Sequence, residues 1–592
     1  MIYSDRIDAL RDDMKKNGID FFLTVSSDDH ASEYICDHYK FTEYLTGCTS
    51  DNVILIVTED EALLWTDGRY FISAAEELKG TSVKLMKSGE PGVESVSAFL
   101  ETHLKEGSRL GFNGMIIISS RAAEYERIAG EKKAEVIYDY APEETVWTKR
   151  PDLPVHPLYI LPDDITGESY EKKKKRLLLK MDCDCLIISK LDDIMWLLNV
   201  RGNDIAYNPV ALSYLIFGKE RQILFIRKEE VTDELSSYLR ENGVTLAGYD
   251  EIIPYIRSLK NCRVMIDPEE TGARVMKTVE KSVGTDNVIK KADPLELMKA
   301  VKNDVELKHI RETYIMDSVA VCRFIFRMKR DAGRVEMTEN DAAVILDKMR
   351  SELPGYIELS FETIAAYNEN AAMAHYAPDK YTASVLKNRG FLLVDSGATY
   401  MGGTTDVTRT IALGPLSDQE KADFTSVAVS NLRLLYAKFP KRTTGVGLDA
   451  IARQPLWDRG IDFNHGTGHG IGYMLNVHEG PQSIRRRNAD TPFMPGMITS
   501  DEPGIYRENM YGIRTESITE CVELSAGDFG TFLGFRPLTF VPIDLDAIDR
   551  NYMTKRDIDL LNDYHKKVRD VISPYLTGEE LDWLARSTEP VK

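Results

Sequence analysis

The chain's 592 residues are enough for roughly two to four domains, and 95 acidic against 74 basic residues give a formal net charge of −21. This charge argues against a surface that binds nucleic acid. No segment approaches the ~20 consecutive apolar residues of a membrane span, and the charged N-terminus has no signal-peptide core. The seven cysteines form no disulfide framework. We therefore expect a cytoplasmic protein with reduced thiols and no nucleic-acid or membrane partner.

The first 150 residues alternate helical and strand patterns. Residues 7–16 carry the amphipathic pattern of a helix. Apolar runs rich in β-branched and aromatic residues predict strands in IDFFLTV, NVILIVT and ALLWTDGRYF. The proline-bearing segment at residues 151–162, PDLPVHPLYILP, predicts a linker.

The next segment repeats this plan. A charged helix, YEKKKKRLLLKM, precedes the strand CLIIS, a polar turn and the apolar run DDIMWLLNVRG, and the strands ALSYLIF and RQILFIRK follow. The lysine run at residues 172–175 is interpreted as a solvated helix face. The repetition predicts two related α/β domains.

A third region begins near Pro294 with a long helical pattern and ends in a polar helical tail. The tail follows the strand-like PLTFVPI and is expected to dock on its own domain or on a neighbouring subunit. The apolar residues that favour docking are Leu560, Leu561, Trp583 and Leu584.

Between the helical region and the tail, two aspartates lie at the ends of predicted strands. The run FLLV ends at Asp395, and DVTRTIAL begins at Asp406. Gly402 and Gly403 supply a turn between them, so a hairpin is predicted to place Asp395 nearly opposite Asp406. Directly opposed side chains have Cβ atoms roughly 4.5–5.5 Å apart, while paired catalytic metals lie about 3.5–4 Å apart. Two such carboxylates can therefore bridge a pair of ions.

Two glutamates repeat this arrangement. Glu502 lies in ITSDEPGIY and Glu516 in YGIRTESIT, at similar distances from the intervening loop. A second hairpin that faces the first would collect four acids on two ribbons. Without cations these carboxylates would repel one another.

A histidine in a glycine-rich segment completes the pattern. His465 and His469 are four residues apart in HGTGHGIG, but this segment lacks the glutamate of a zinc-binding helix, and glycine costs about 1 kcal/mol per helical position. It is therefore predicted to be a loop or a strand edge. Hard carboxylate oxygens with one imidazole are ligands suited to two divalent ions that activate water, which indicates a metallohydrolase. The five predicted ligands are Asp395, Asp406, His469, Glu502 and Glu516.

A simpler interpretation exists for each acid taken alone. Asp395, which precedes Ser-Gly, could be a turn residue, and Glu502, which precedes Pro-Gly, could be an exposed turn acid. Their occurrence together, in this order and with a glycine-flanked histidine between them, favours the metal site.

These motifs resemble the long, three-domain form of aminopeptidase P, the Xaa-Pro aminopeptidases of the pita-bread metallopeptidase group. The resemblance covers nearly the whole chain. The segments that carry it are SSDDHASEY, WTDGRYF, RGNDIAYNPVALSYLI, AHYAP, DSGATY, TTDVTRT, HGTGHGIGYMLNVHEGP, SDEPGIY, GIRTES and FRPLTFVPID.

The resemblance implies an α/β (α+β) fold with four parts. Two related creatinase-like α/β domains are expected at residues 1–152 and 153–296. A pita-bread catalytic domain is expected at 297–535, and its C-terminal extension at 536–592.

The resemblance also implies the chemistry. The expected reaction removes an N-terminal residue that precedes proline, and a dinuclear centre of two divalent ions, usually manganese, holds a bridging hydroxide nucleophile. Asp406 and Glu516 would bridge the ions, and Glu502 would also relay a proton. Peptides with proline second are the expected partners, and a homodimer is the family's usual state.

Four further residues receive roles from the same resemblance. His478 would bind the scissile carbonyl or the oxyanion, and His375 would bind substrate or the leaving proline nitrogen. His465 and Arg514 are candidates for substrate binding or for support of the ligands.

Two rival functions use the same fold. Prolidase, an Xaa-Pro dipeptidase, has the same ligands but is usually shorter, so the second α/β domain and the tail favour the aminopeptidase. A non-catalytic peptide-binding relative would be expected to lose ligands, and none is lost. The chain departs from the long-form pattern at Ile505, where tyrosine is frequent, and at Ser517, where asparagine is frequent.

Overall fold

A computed structural model describes residues 2–373 and 376–592 of the chain, so His375 lies outside the described residues. The chain divides into two compact units. The first comprises residues 1–162 and 168–296, and the second comprises residues 163–167 and 297–592.

The N-terminal half of the first unit is an α/β domain. Its helices are α1 (Ile2–Asn17), α2 (Phe41–Thr46), α3 (Phe71–Glu77), α4 (Val96–His103), α5 (Ser119–Lys132) and α6 (Glu143–Val146). Its strands are β1 (Phe21–Val25), β2 (Ile54–Val57), β3 (Ala62–Thr66), β4 (Lys84–Lys87), β5 (Arg109–Gly111) and β6 (Glu135–Ile137).

The following part of the chain runs to residue 290. Its strands are β7 (Tyr159–Ile160), β8 (Cys185–Ile188), β9 (Val200–Arg201), β10 (Ser213–Gly218), β11 (Gln222–Ile226), β12 (Val244–Gly248), β13 (Val264–Ile266) and β14 (Val288–Lys290). Its helices are α7 (Asp163–Thr166, which belongs to the second unit), α8 (Tyr170–Leu178), α9 (Leu191–Leu198), α10 (Asp233–Glu241), α11 (Ile252–Ser258) and α12 (Ala273–Val283).

The two sheets of the first unit have the same topology. Their strand orders are β4-β3-β2-β1-β5-β6 and β12-β11-β10-β8-β13-β14. In each sheet the first strand along the chain pairs antiparallel with the second and parallel with the fifth. The prediction of two related α/β domains is confirmed by this repeated order.

Local details differ from the sequence interpretation at two places in this unit. The predicted strand ALLWTDGRYF ends at Thr66, and Phe71 begins a helix instead. Lys173, expected on a solvated face, is buried, because its ammonium donates to Trp196 O at 2.7 Å and to Asn199 Oδ1 at 2.6 Å.

The second unit mixes long helices with antiparallel sheets. Its helices are α13 (Pro294–Ala300, within which the unit boundary falls), α14 (Asp304–Asp331), α15 (Glu339–Ser351), α16 (Asp418–Leu435), α17 (Gly445–Trp457), α18 (Lys555–Ile572) and α19 (Gly578–Ser587). Its strands are β15 (Tyr356–Leu359), β16 (Ile364–Tyr367), β17 (Phe391–Ser396), β18 (Ala398–Tyr400), β19 (Gly403–Thr404), β20 (Val407–Ala412), β21 (Lys438–Pro440), β22 (Gly468–Gly470), β23 (Glu479–Ile484), β24 (Ile498–Asp501), β25 (Gly504–Arg507), β26 (Tyr511–Arg514), β27 (Ser517–Gly527) and β28 (Gly530–Pro537).

Capping boxes define the starts of the long helices. Asn303 and Glu306 cap α14, and Ser417 and Glu420 cap α16, each pair exchanging side-chain to backbone hydrogen bonds. These reciprocal bonds satisfy N–H groups that the first turn of a helix leaves free.

Two sheets carry the predicted ligands. The six-stranded sheet has the order β21-β28-β27-β24-β22-β23, and a three-stranded sheet has the order β16-β17-β20. Among the described residues no helix is both long enough and apolar enough to cross a bilayer.

The C-terminal tail packs on its own unit. Leu561 and Leu584 are fully buried, and Trp583 is nearly so, in one apolar cluster with residues of α14 and α16. The tail thus docks on its own domain, which is one of the two places expected for it. PLTFVPI is not a strand, since β28 ends at Pro537.

We expect Leu584→Ala to lower the free energy of unfolding of this unit by about 2–5 kcal/mol, because it leaves a cavity in a closed core. Leu581→Ala, at a 36 % exposed position of the same helix, serves as the control and should change it little. Urea unfolding followed by tryptophan fluorescence measures both. Equal effects of the two changes would contradict a docked tail.

Candidate metal centre

The first predicted hairpin exists, but its register differs from the expectation. Asp395 on β17 pairs with Thr408 on β20, and Ser396 pairs with Val407. Asp406 therefore lies opposite Gly397 and is a diagonal neighbour of Asp395. The register is set by the turn, which consists of Met401 and Gly402, because Tyr400 pairs with Gly403 and Gly403 is therefore a strand residue instead of a turn residue as predicted. Gly397 allows the close approach, since a Cβ there would lie 1.9 Å from Thr405 O. The strands close tightly here, and only glycine fits opposite Asp406.

The second hairpin matches its prediction. β24 pairs with β27 through Asp501 and Ser517, and β25 pairs with β26 through Gly504 and Arg514. Glu502 and Glu516 lie between these two paired stretches, at matching positions on the two strands. The two ribbons face each other, because Glu516 N donates to Thr408 O at 3.1 Å.

His469 lies on β22, inside the six-stranded sheet and not on a helix. Its glycine neighbours allow the flanking strands to approach. A Cβ at Gly468 would lie 2.0 Å from Ser500 O, and one at Gly470 would lie 2.1 Å from Glu479 O. The segment HGTGHGIG is not helical, as predicted: it forms a three-residue strand, Gly468–Gly470, with irregular chain on both sides.

The fold brings the predicted ligands together. One ligand atom from each of Asp406, His469 and Glu516 lies within 4.8 Å of the others. His469 Nε2 is 3.5 Å from Asp406 Oδ2 and 3.5 Å from Glu502 Oε1. Asp395 lies on β17, in the first ribbon, and accepts a hydrogen bond from Arg514 Nη2, in the second ribbon, at 2.5 Å.

Burial and mutual repulsion both act on these carboxylates. Burial raises the pKa of Asp406 well above its usual value, and Asp395 and Glu502 raise it further. The pKa of Glu516 is raised by burial and then by Asp406. Burial raises the pKa of Glu502 to about 7, although Arg514 opposes the shift. Such groups ionise together only when positive charge lies among them.

The donor set fits two divalent cations. Four carboxylates and one imidazole supply hard oxygen ligands and a nitrogen. Asp395 Oδ1 is buried and has no hydrogen-bond partner among the described residues. A carboxylate oxygen left unpaired in this position is available to a metal ion.

A hydrogen-bonded layer surrounds the carboxylates. Arg514 Nη1 donates to Tyr506 Oη at 2.7 Å, and its Nε donates to Thr408 Oγ1 at 3.1 Å. Thr408 Oγ1 in turn donates to Glu516 Oε2 at 2.9 Å. Ser500 Oγ accepts from His469 N at 2.9 Å. Partners of this kind orient metal ligands and tune their basicity.

The predicted substrate residues have distinct surroundings. The ring of His478 lies 4.3 Å from that of His469, at right angles to it. The Nε2 atom of His465 lies 2.9 Å from Tyr506 Oη. Arg514 is buried against Asp395. The substrate roles of all three remain predictions.

Sequence reasoning missed Tyr506 and Thr408. The signal was available, because strand side chains repeat with period two. Thr408 follows Asp406 by two residues, and Tyr506 follows Glu502 by four. Ile505 points the other way and is buried in the apolar core.

Comparison with known families covers most of the chain. Residues 6–138 and 149–306 each match the creatinase/prolidase N-terminal domain. Residues 308–523 match metallopeptidase family M24, and residues 531–591 match the C-terminal region of peptidase M24.

Several full-length relatives are known. Xaa-Pro aminopeptidase 1 from Dictyostelium discoideum is 32% identical over 99% of this chain and 96% of its own length. Aminopeptidase P2 from Arabidopsis thaliana is 35% identical over 97% of this chain and 86% of its own. The crystal structure of X-prolyl aminopeptidase from Caenorhabditis elegans, described as a cytosolic enzyme with a di-nuclear active site, covers 100% of both chains with a TM-score of 0.96 and 32% identity.

The fold and the buried carboxylate cluster are those of a pita-bread metallopeptidase with creatinase-like N-terminal domains. The chain belongs to the Xaa-Pro aminopeptidases of metallopeptidase family M24. Membership implies a centre of two divalent metal ions.

We expect Thr408→Val to weaken metal binding about 10–100-fold, because it removes the hydroxyl that orients Glu516. Thr588→Val is the matched control, since the buried Thr588 hydroxyl donates to Leu584 O, a backbone acceptor in the tail. Calorimetric titration of metal-free protein with Mn²⁺ measures both. Unchanged affinity in Thr408→Val would remove this hydroxyl from the site.

Proposed function

We propose that this chain is a metalloaminopeptidase that removes the N-terminal residue from peptides whose second residue is proline. The observation that carries the proposal is the convergence of four carboxylates from two facing ribbons with one imidazole from the adjacent strand β22. Its likeness to Xaa-Pro aminopeptidases extends over the full chain, both N-terminal domains included.

Asp395, Asp406, His469, Glu502 and Glu516 are the proposed ligands of two divalent ions, which we propose are manganese. When bound, such ions polarise a carbonyl oxygen and lower the pKa of water so that hydroxide is available near neutral pH. Asp406 and Glu516 would each supply carboxylate oxygens that hold the pair of ions. Arg514 and Thr408 would keep Asp395 and Glu516 in their bound orientations.

The proton is moved by this chain's own carboxylate. Glu502 would accept the proton of the attacking water and deliver it to the leaving nitrogen of proline. Its side chain is held beside the site by Ser500 Oγ, which donates to Glu502 Oε1 at 3.3 Å. A carboxylate beside the reacting atoms is suited to both steps, because it can act first as a base and then as an acid.

The histidines act on substrate in this proposal. His478 would donate to the oxyanion that develops on the scissile carbonyl, a contact commonly worth about 2.7–4 kcal/mol. His375 would bind substrate or the leaving nitrogen. His465 and Arg514 complete the proposed substrate-binding set, with Tyr506 between them.

The preference for proline comes from relatives named for it. Proline's tertiary amide has no N–H and a fixed φ, so a site that needs the N–H of an ordinary peptide handles it poorly. The proposal also includes a cytoplasmic location, in accord with the worm relative described as cytosolic. The proposed homodimer follows from the family resemblance alone. The proposed domains remain residues 1–152, 153–296, 297–535 and 536–592.

The activity can be tested with matched substrates. Metal-stripped enzyme, with and without added Mn²⁺, is given an Xaa-Pro dipeptide and a longer peptide beginning Xaa-Pro-Pro, and release of the N-terminal residue is measured. We expect manganese-dependent cleavage of the longer peptide. Cleavage of the dipeptide alone would identify a dipeptidase, and no cleavage with two metals bound would indicate another function.

We expect Asp406→Asn to abolish both metal binding and turnover, because Asp406 supplies an oxygen to the proposed bridge. Asp528→Asn changes an exposed aspartate of the same unit and should retain both. Metal content by atomic emission and peptide cleavage are the measurements. Turnover in a metal-loaded Asp406→Asn enzyme would refute the assignment.

A further inference from the structure

A buried charge cluster lies directly beside His478. The next residue, Glu479, forms an ion pair between its Oε2 and Lys299 Nζ at 3.3 Å, while its Oε1 accepts a hydrogen bond from Lys302 Nζ. The side chains of Lys302 and Glu479 are 0% exposed, and that of Lys299 is 1% exposed. Lys302 Nζ also donates to Lys299 O at 3.0 Å.

Stability alone is a poor reason for this cluster. Removing three charges from water carries a large desolvation cost, and well-packed apolar residues in place of a buried ion pair are often equally stable or more so. The charges instead fix the orientation of the Glu479 carboxylate, because each of its two oxygens is held by a different ammonium group. Glu479 is therefore fixed more narrowly than packing alone would fix it.

The backbone of Glu479 is held as closely as its side chain. Glu479 begins β23 opposite Gly470, where a Cβ would lie 2.1 Å from Glu479 O. Gly470 directly follows His469, whose ring contacts that of His478. His478 thus lies between a strand that carries a predicted ligand and a carboxylate anchored by two lysines.

The lysines are themselves tied to the strand that leads to Glu502. Lys302 N donates to Gly496 O at 3.1 Å, and Val301 bridges to Met497. Met497 directly precedes β24, which ends one residue before Glu502. The cluster therefore relates the backbone at His478 to the backbone at Glu502.

We propose that Lys299 and Lys302 are positioning residues that act through Glu479 to hold His478 where the oxyanion develops. This inference rests on the proposed function. Neither lysine is among the proposed metal ligands or substrate-binding residues. Their effect is confined to the transition state, where the His478 contact is made.

The first test is Lys302→Met, which removes the ammonium and keeps the chain length. We expect kcat to fall about 10–100-fold, a part of the roughly 10²–10³-fold that loss of an oxyanion donor costs. KM should change less than about threefold, because the lost interaction belongs to the transition state. Metal stoichiometry should stay at the wild-type value.

Two further variants separate positioning from folding. Glu479→Gln keeps the shape of the side chain, removes its charge and should lower kcat in the same way; it decides the question if Lys302→Met does not fold. Lys329→Met is the matched control, since Lys329 pairs with Asp544 and Asp546 at the base of the tail. It should lower the thermal midpoint while kcat stays at the wild-type value.

A double variant gives the decisive readout. If Lys302 acts through His478, Lys302→Met added to His478→Gln should slow the enzyme no further than His478→Gln alone. Multiplying effects would overturn the inference, as would wild-type kcat in both Lys302→Met and Glu479→Gln. An inactive wild-type enzyme would overturn the proposed function and this inference together, whereas an active one with unaffected variants would overturn the inference alone.

Discussion

The second unit is organised around carboxylates that repel one another. Burial removes the water that would screen them, and the pKa values of Asp406, Glu502 and Glu516 are all raised in consequence. The surrounding groups offset the electrostatic repulsion among these carboxylates. Arg514 neutralises Asp395, the hydroxyl of Thr408 binds Glu516, and the other oxygen of Asp395 has no hydrogen-bond partner among the described residues and is available to a cation. We therefore expect the carboxylate cluster to be rigid, because these contacts offset the repulsion only in one arrangement of the side chains.

A second arginine carries the constraint outward. Arg409 is buried on β20 and donates to the backbone oxygens of Glu516 and Thr408. The Nη2 atom of Arg409 donates to Val541 O at 2.8 Å and to Tyr564 Oη at 2.7 Å. One guanidinium therefore joins the backbone of a proposed ligand to the segment after β28 and to α18. The tail belongs to the architecture of the site even though it supplies no ligand.

Much of this could be predicted from the sequence, and the omissions have physical reasons. Hydrophobic periodicity and turn glycines are local signals, so the two hairpins, the strand at His469 and the repeated α/β plan were accessible. The diagonal register of Asp395 was not, because it depends on which two residues form the turn, and adjacent Gly402 and Gly403 leave that choice open. The burial of Lys173 was hidden for a similar reason, since its acceptors are supplied by a helix packed against it.

The contacts of Arg409 have a consequence for the order in which the protein matures. Synthesis proceeds from the N-terminus, so all five proposed ligands are made before Val541 and Tyr564. A nascent or truncated chain that ends after Glu516 and before Val541 has all five ligands but lacks two of the acceptors of the buried Arg409 side chain. The free energy that this arginine loses by leaving water is then only partly recovered. The backbone around Glu516 therefore gains its full set of hydrogen bonds only after the last helices of the chain have been made.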